Sequence, residues 1–206
     1  MRLYVVTEIY GQNEHTDEMA RRLSVSGCPC SVVDPYDGRR LDLCSEADAY
    51  GRFMAECGHE RYARLLEQRI CEDMESGAGP VRVVGFSAGA SAVWGVACAA
   101  VPGLAYAVCF YGSQIRFTAN NVPCCPVDVV LPQFEDHYSV SALARQLDGH
   151  ARVVCHETPW LHGFMNPLSS NYASDGYEYW MRWLEGFAWD ATQAERIDVA
   201  RDAGCP

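Results

Sequence analysis

The chain has 206 residues, a formal net charge of −11, and 49% hydrophobic and 21% charged residues. All 16 basic residues are arginine, and the absence of lysine excludes a lysine base and Schiff-base chemistry. An acidic chain without a basic stripe is a poor candidate for binding nucleic acid or an anionic membrane. This length predicts one globular domain over residues 1–206, large enough to bury a core without staples.

The 11 cysteines are odd in number and irregular in spacing. The chain enters a strand at once, without the basic start and long apolar core of a signal peptide. We therefore predict reduced, mostly buried thiols in a cytoplasmic protein. The two clusters, Cys28-x-Cys30 and Cys124-Cys125, lack the paired spacing of a zinc knuckle, so no metal site is expected.

Strand and helix patterns alternate along the first part of the chain. In order they predict a strand at 2–7, a helix from the N-cap Asn13 to about Leu23, a strand at Cys30–Val33, a short helix at Glu46–Glu56 and a longer helix at 60–75. Because a strand, a helix and a strand with short links form a βαβ unit, the strands are expected to be parallel.

The same alternation continues to the end of the chain. It predicts a strand at 81–85 with a helix after it, strands at Leu104–Phe110 and Val127–Leu131, a helix at Val140–Leu147, a strand at 151–156 and an aromatic-rich helix at 175–190. The polar tail from 191 is expected to be loosely ordered. The whole pattern indicates the α/β class, with a mostly parallel, doubly wound sheet flanked by helices and little or no cap.

Residues 85–89 read Gly-Phe-Ser-Ala-Gly between a predicted strand and a predicted helix. The pattern Gly-x-Ser-x-Gly places a serine at a strained strand-to-helix corner, with its hydroxyl above the sheet. A Cβ at Gly85 or Gly89 would collide with the neighbouring backbone at such a corner. Ser87 also precedes a helix N-terminus, whose free N–H groups stabilise developing negative charge, so we predict Ser87 as a nucleophile.

A serine nucleophile needs a histidine base and a carboxylate that orients it. Reactive groups gather at the carboxyl ends of the strands in a doubly wound sheet. Six polar side chains follow predicted strands: Glu8, Asp34, Ser87, Tyr111, Asp136 and His162. In hydrolases with this serine corner the acid comes next in the chain and the histidine last, which selects Asp136 and His162.

Other residues could replace these two. Glu135 is the nearest alternative acid, and His156 is an alternative base at the end of the last strand. His150 precedes that strand and His137 adjoins Asp136, so neither is expected to act as the base. Asp128 lies in mid-strand and is not expected to reach the edge of the sheet.

Six stretches carry a resemblance to a known family. They are Thr7-Glu8-Ile9-Tyr10-Gly11-Gln12-Asn13, Val33-Asp34-Pro35-Tyr36, the serine motif, Phe110-Tyr111-Gly112, Glu135-Asp136 and His162-Gly163-Phe164. In this order they resemble the dienelactone hydrolase family of α/β hydrolases. The resemblance implies an α/β-hydrolase fold, with Ser87 as nucleophile, His162 as base and Asp136 as its orienting acid. It also implies an oxyanion hole made by the backbone N–H groups of Ile9 and Ala88.

Further residues are expected to support the site or bind substrate. Glu8 matches a family glutamate close to the nucleophile, and Tyr36, Tyr111 and Phe164 are expected around the same pocket, as supporting or substrate-binding residues. Dienelactone hydrolase itself has cysteine where this chain has Ser87. The arginine that the family carries soon after the histidine is replaced here by Met165-Asn166-Pro167. Four arginines remain candidates for binding an anion: Arg39, Arg40, Arg52 and Arg116.

The expected function is a serine hydrolase that cleaves a small ester, lactone or thioester through an acyl-enzyme. Two alternatives stay open, a hydrolase-fold binding module without turnover and an acyltransferase. The expected partner is a small acyl substrate, with no cofactor, nucleic acid or membrane, and the chain is expected to be a monomer or a homodimer.

Overall fold

Strands and helices alternate in the computed structural model, which describes residues 1–24, 28–43 and 45–186. In chain order they are β1 (Arg2–Val6), α1 (Glu14–Leu23), β2 (Cys30–Val33), α2 (Glu46–Glu56), α3 (Gly58–Glu75), β3 (Val81–Phe86), α4 (Ala88–Cys98), β4 (Leu104–Phe110), β5 (Val127–Leu131), α5 (Val140–Leu147), β6 (Val153–Glu157) and α6 (Ser174–Gly186). Each strand and helix predicted above is present, with ends that differ by one or two residues where they are described.

The six strands form one sheet in the order β2-β1-β3-β4-β5-β6, and every neighbouring pair is parallel. The prediction of a parallel, doubly wound sheet is therefore confirmed. The order reverses at β1 and β3, since the chain first moves outward to β2 and then returns to the other side of β1. Ligands bind beside such a reversal at the carboxyl ends of the strands.

Helices cover both faces of the sheet. Helices α2 to α5 pack on one face, where Phe53, Tyr62 and Trp94 are buried. Helices α1 and α6 pack on the other face, with Met19 and Trp180 in the core. Each helix buries one apolar stripe because its apolar residues recur every three or four positions.

The structure adds two details to the predicted elements. A short 3₁₀ helix at Ser113–Phe117 follows β4 and was not predicted. The closing helix was predicted to end at 190, but the positions after Gly186, including the polar tail, lie outside the described residues. Among the helices that are described, none combines the length and the apolar character needed to cross a membrane.

Candidate active site

The corner between β3 and α4 places Ser87 in a strained conformation. Its backbone has φ 49° and ψ −109°, a left-handed geometry that non-glycine residues rarely adopt. A Cβ on Gly85 would lie 2.7 Å from the backbone of Gly89, and a Cβ on Gly89 would lie 2.3 Å from the carbonyl oxygen of Val6. Both glycines are therefore required for steric reasons, as the serine motif predicted.

The corner brings the serine hydroxyl to an imidazole. Ser87 Oγ lies 2.9 Å from His162 Nε2, although 75 residues separate them in the chain. His162 stands in the loop after β6, and Asn171 fixes this loop by donating from its side chain to the His162 carbonyl oxygen at 3.0 Å. The hydroxyl and the ring nitrogen are thus at hydrogen-bonding distance in the resting structure.

The other nitrogen of the ring contacts a carboxylate, but a different one from that expected. His162 Nδ1 lies 2.7 Å from Glu135 Oε1, and the Glu135 side chain is only 11% exposed. Asp136 is exposed to solvent instead. The prediction of Asp136 as the orienting acid is therefore wrong. The loop after β5 turns residue 135 toward the imidazole, and the next side chain faces water.

The pKa of His162 reflects two opposing effects. Burial acts to lower it, because the imidazolium loses hydration. The hydrogen bond to Glu135 and its charge act in the other direction, together with the charges of Glu8 and Glu46. The carboxylates prevail, and the pKa of His162 is raised above its ordinary value.

Glu8 lies behind this group and joins two other buried residues. Its Oε1 accepts a hydrogen bond from the Tyr111 hydroxyl at 2.6 Å, and its Oε2 accepts one from Asn166 Nδ2 at 2.7 Å. Burial raises the pKa of Glu8 despite these two donors. The Tyr111 ring in turn lies 5.0 Å from the His162 ring, so Glu8 fixes a side chain that packs on the base.

No family model matches the chain. The curated relative "Uncharacterized protein YczH" from Bacillus subtilis is 29% identical over 170 residues, which cover 79% of each chain. Among solved structures, a protein from Klebsiella pneumoniae assigned as a dienelactone hydrolase superposes with a TM-score of 0.70 at 19% identity, over 90% of this chain and 87% of that one. The dienelactone hydrolase-like promiscuous phosphotriesterase P91 from metagenomic libraries gives 0.66 at 18% identity, over 89% and 83%. The chain has the α/β-hydrolase fold.

A third likeness agrees with this fold. A cold-adapted esterase from an Arctic intertidal metagenomic library superposes with a TM-score of 0.60 at 17% identity, over 89% of this chain and 81% of that one. In an α/β-hydrolase fold a sharp strand-to-helix turn follows a central strand. In this chain that turn is the Ser87 corner between β3 and α4.

The loop that precedes α1 in this α/β-hydrolase fold carries Ile9, one of the two expected oxyanion-hole residues. The Tyr36 hydroxyl donates to the Ile9 carbonyl oxygen at 2.6 Å, and Asp34 Oδ1 accepts from the Tyr36 backbone N–H at 2.8 Å. Ala88 is the first residue of α4, and N–H groups in a first turn have no acceptor within their helix. The N–H groups of Ile9 and Ala88 remain a prediction for the oxyanion hole.

The four residues expected around the pocket are largely beneath the surface. Glu8 is 8% exposed, Tyr36 is 2% exposed, and Tyr111 and Phe164 are fully buried. Phe164 packs against the rings of Tyr111 and Trp160, each with centroids 5.3 Å apart. Glu8 and Tyr111 still line a small cavity together with Tyr10 and Met165. That the four residues support the site or bind substrate stays a prediction.

The other histidines considered as the base, and the strand-end residue Asp34, bind other partners. His156 Nε2 lies 2.7 Å from Asp128 Oδ1, and His150 Nε2 lies 2.8 Å from a backbone carbonyl oxygen. Asp34 binds the backbone of its own turn through both oxygens. The structure also brings Asn166, which the sequence did not single out, to Glu8 at the candidate site. Its only signal was that it belongs to Met165-Asn166-Pro167, the stretch that replaces the family arginine.

Nine of the 11 cysteines lie in the ranges that the structure describes. The nine cysteines in the described ranges are free thiols, of which three are buried and one, Cys124, is exposed. Within these ranges no three histidine, cysteine, aspartate or glutamate side chains are arranged to hold a metal ion.

Proposed function

We propose that this chain is a serine hydrolase of the dienelactone hydrolase-like type, which cleaves a small ester, lactone or thioester through an acyl-enzyme on Ser87. The observation that carries the proposal is the 2.9 Å contact between Ser87 Oγ and His162 Nε2, with Glu135 on the opposite ring nitrogen. A serine is activated when its hydroxyl contacts an imidazole whose other nitrogen contacts a carboxylate.

The first half of the reaction forms the acyl-enzyme. With Nδ1–H donating to Glu135, the Nε2 lone pair of His162 accepts the Ser87 proton as the serine oxygen attacks the carbonyl carbon. Negative charge develops on the carbonyl oxygen, and the N–H groups of Ile9 and Ala88 would stabilise it. Glu135 stabilises the imidazolium that forms.

The second half releases the products. His162 donates its proton to the leaving alkoxide or thiolate, so the bond from the carbonyl carbon to that group breaks. A water molecule then attacks the acyl carbon, His162 takes the water proton, and the Ser87 oxygen leaves with that proton. The three side chains supply every proton transfer, so the proposed cycle needs no cofactor.

Glu8 has a positioning role in this scheme. It holds Tyr111 against the imidazole and anchors Asn166, which stands four residues after His162. The contact between Ser87 and His162 also argues against the binding-module alternative, since a module without turnover has no need for a hydroxyl at a ring nitrogen. Acyl transfer would use the same side chains, and analysis of products with added alcohols or thiols separates it from hydrolysis.

A fluorophosphonate probe tests the proposal, because it reacts only with an activated serine. We expect the wild-type protein to be labelled and to hydrolyse 4-nitrophenyl butyrate, and both to be lost in Ser87→Ala. Ser91→Ala is the matched control, since Ser91 lies one turn further along α4, and this variant should keep the labelling. Undiminished labelling of Ser87→Ala would overturn the assignment.

A further inference from the structure

A groove of about 510 Å³ lies beside the candidate site. Part of its wall is apolar and is formed by Leu41 and Leu43 before α2 and by Pro167 and Leu168 after the His162 loop. Leu168 is 58% exposed, which is high for a large aliphatic side chain. Exposed apolar surface inside a concave wall is typical of a small-molecule site.

The groove adjoins the catalytic group through the chain and through space. Tyr10, in its wall, follows the oxyanion residue Ile9, and Pro167 follows Asn166, which donates to Glu8. Glu46, also in the wall, is near enough for its charge to act on both Glu8 and His162. An arm of a substrate whose carbonyl lies at Ser87 is therefore within range of the charge of Glu46.

The charge of the groove is negative. Glu14, Asp42 and Glu46 line it and are exposed. The basic side chain in its wall is His15, whose pKa is lowered by burial and whose Nε2 is 2.8 Å from the Met165 carbonyl oxygen. Low-dielectric walls that carry one sign of charge focus the field on a ligand between them.

Three of the four arginines considered for binding a substrate carboxylate form ion pairs outside the groove. Arg39 and Arg52 both contact Glu56, and Arg40 contacts Asp17. The fourth, Arg116, does not line the groove; it donates to the Ser113 carbonyl oxygen and lies over the rings of Phe117 and Tyr138. The stretch that replaces the family arginine, Met165-Asn166-Pro167, carries no cation, and the amide of Asn166 donates to Glu8. Within the described residues, no arginine lines the groove.

We propose that this groove holds one arm of the substrate of the proposed hydrolase and selects an uncharged or cationic arm over an anionic one, with Glu46 as the specificity-determining residue. The inference rests on the proposed function, because it assumes that Ser87 attacks the carbonyl. The apolar wall binds the carbon chain of the arm, and the carboxylates repel a terminal carboxylate. The substrate class is then a neutral or cationic acyl ester, and the half-esters of dicarboxylic acids are poor substrates.

Three 4-nitrophenyl esters of matched shape test the preference. Their acyl groups are 4-(trimethylammonio)butanoyl, its uncharged isostere 5,5-dimethylhexanoyl, and the glutarate half-ester, which carries a carboxylate at the same distance from the carbonyl. After subtraction of spontaneous hydrolysis, we expect kcat/KM to fall in the order cation, neutral, anion. A second pair, the butyrate esters of choline and 3,3-dimethylbutanol, places the charge on the alcohol side instead.

Glu46→Gln identifies the residue responsible. Two charges about 6 Å apart in a wet groove interact strongly enough to change kcat/KM about three- to tenfold. We compare the two esters at alkaline pH, where His162 is neutral with or without the charge of Glu46, and therefore expect the ratio of kcat/KM for the cationic ester to that for the neutral ester to fall by that factor in this variant. Glu67→Gln is the matched control, since it removes the same charge from an exposed position on α3 that does not line the groove. Its ratio should equal that of the wild type.

Each outcome is decisive for the groove. If neither the acyl series nor the alcohol pair shows a preference for the cation that depends on Glu46, the inference is wrong, and hydrolysis of the neutral esters through Ser87 still stands. If the anionic half-ester is the best substrate, the inference is also overturned. If no ester reacts and the fluorophosphonate does not label Ser87, the proposed function is wrong. The inference about the groove is then wrong as well, because it rests on that function.

Discussion

His162 is a half-buried imidazole whose pKa is subject to two opposing effects. Its loss of hydration favours the neutral ring, whereas Glu135, Glu8 and Glu46 favour the imidazolium. The net result is a raised pKa, so the ring keeps its proton to a higher pH than an ordinary histidine does. This matters for the proposed mechanism because only the neutral ring can take the proton of Ser87.

The first prediction concerns Glu135. The wild-type kcat/KM should rise with pH as His162 loses its proton, with a midpoint above about 6.5, the ordinary histidine pKa. In Glu135→Gln the charge that favours the imidazolium is gone, so the midpoint should move to lower pH. The maximal rate should also fall about 10²- to 10⁴-fold. A pH profile of 4-nitrophenyl butyrate hydrolysis measures both effects.

Asp136→Asn is the control for that experiment. It makes the same chemical change one residue further on, where the side chain is exposed. Its profile should match that of the wild type. If Asp136→Asn shifts the midpoint and Glu135→Gln does not, the carboxylate has been misassigned.

The second prediction concerns the support behind the base. Tyr111→Phe removes the hydroxyl that donates to Glu8 Oε1 and leaves a buried carboxylate oxygen without that donor. We expect the free energy of unfolding to fall by about 1–3 kcal/mol. Urea unfolding measures the change, and an unaltered midpoint would show that the hydrogen bond contributes little.

At the residue scale the sequence revealed part of the site. The rule that reactive groups lie at strand ends brought Ser87 and His162 to one edge of the sheet, where the structure has them in contact. It could not separate Glu135 from Asp136, because both follow β5 and the choice depends on how a short loop turns. Asn166 was not predicted, since no local pattern shows that its amide binds Glu8, 158 residues away in the chain.

The strand–corner–helix unit from β3 to α4 is the element that sets the geometry of the site. Its backbone approaches β1 so closely that the Cβ of any residue at 89 would lie 2.4 Å from the Thr7 carbonyl oxygen. Rigid backbone occupies that space, so no side-chain rotation relieves the contact. The strained Ser87 conformation is therefore supported by packing on both sides.

The third prediction follows from this packing. Gly89→Ala should destabilise the protein by at least about 3 kcal/mol, because α4 must move away from β1. Gly51→Ala is the matched control, since a Cβ at this position of α2 meets nothing within 4 Å. It should stabilise the protein by about 0.5–1 kcal/mol, because alanine favours a helix over glycine. Equal thermal midpoints for the two variants would contradict this view of the corner.

Elements were easier to predict than contacts for a physical reason. The strands β2, β4 and β5 have the predicted limits because short apolar runs between turn residues specify them locally. Asn13 caps α1 as predicted, since its side chain accepts from the Thr16 N–H. The 3₁₀ helix at Ser113–Phe117 was missed because five residues are too few to show a period.

At the scale of the whole molecule, a buried carboxylate links the sheet to the face covered by α1 and α6. Asp128, in β5, accepts hydrogen bonds from the Tyr106 hydroxyl and lies 2.7 Å from His156 Nε2, while His156 packs on the rings of Trp180 and Trp183. Asp128 is 3% exposed. This carboxylate therefore joins three neighbouring strands beneath the closing helix.

The fourth prediction separates this network from catalysis. Asp128→Asn replaces a carboxylate oxygen by an amide donor, so one of its two partners loses its acceptor. The free energy of unfolding should fall by about 2–4 kcal/mol, and kcat/KM per folded molecule should not change. Exposed Asp136→Asn should change stability by no more than about 0.5 kcal/mol. If fully folded Asp128→Asn protein had a lower kcat/KM than the wild type, the network would take part in the reaction.

The central claim of the account is that Ser87 becomes acylated, and mass spectrometry tests it most directly. The protein is mixed with a slowly released acyl ester, quenched in acid during turnover and digested. The account predicts one acyl adduct, on the peptide that contains Ser87, and no adduct in Ser87→Ala. An adduct on another residue, or turnover that continues in Ser87→Ala, would contradict it.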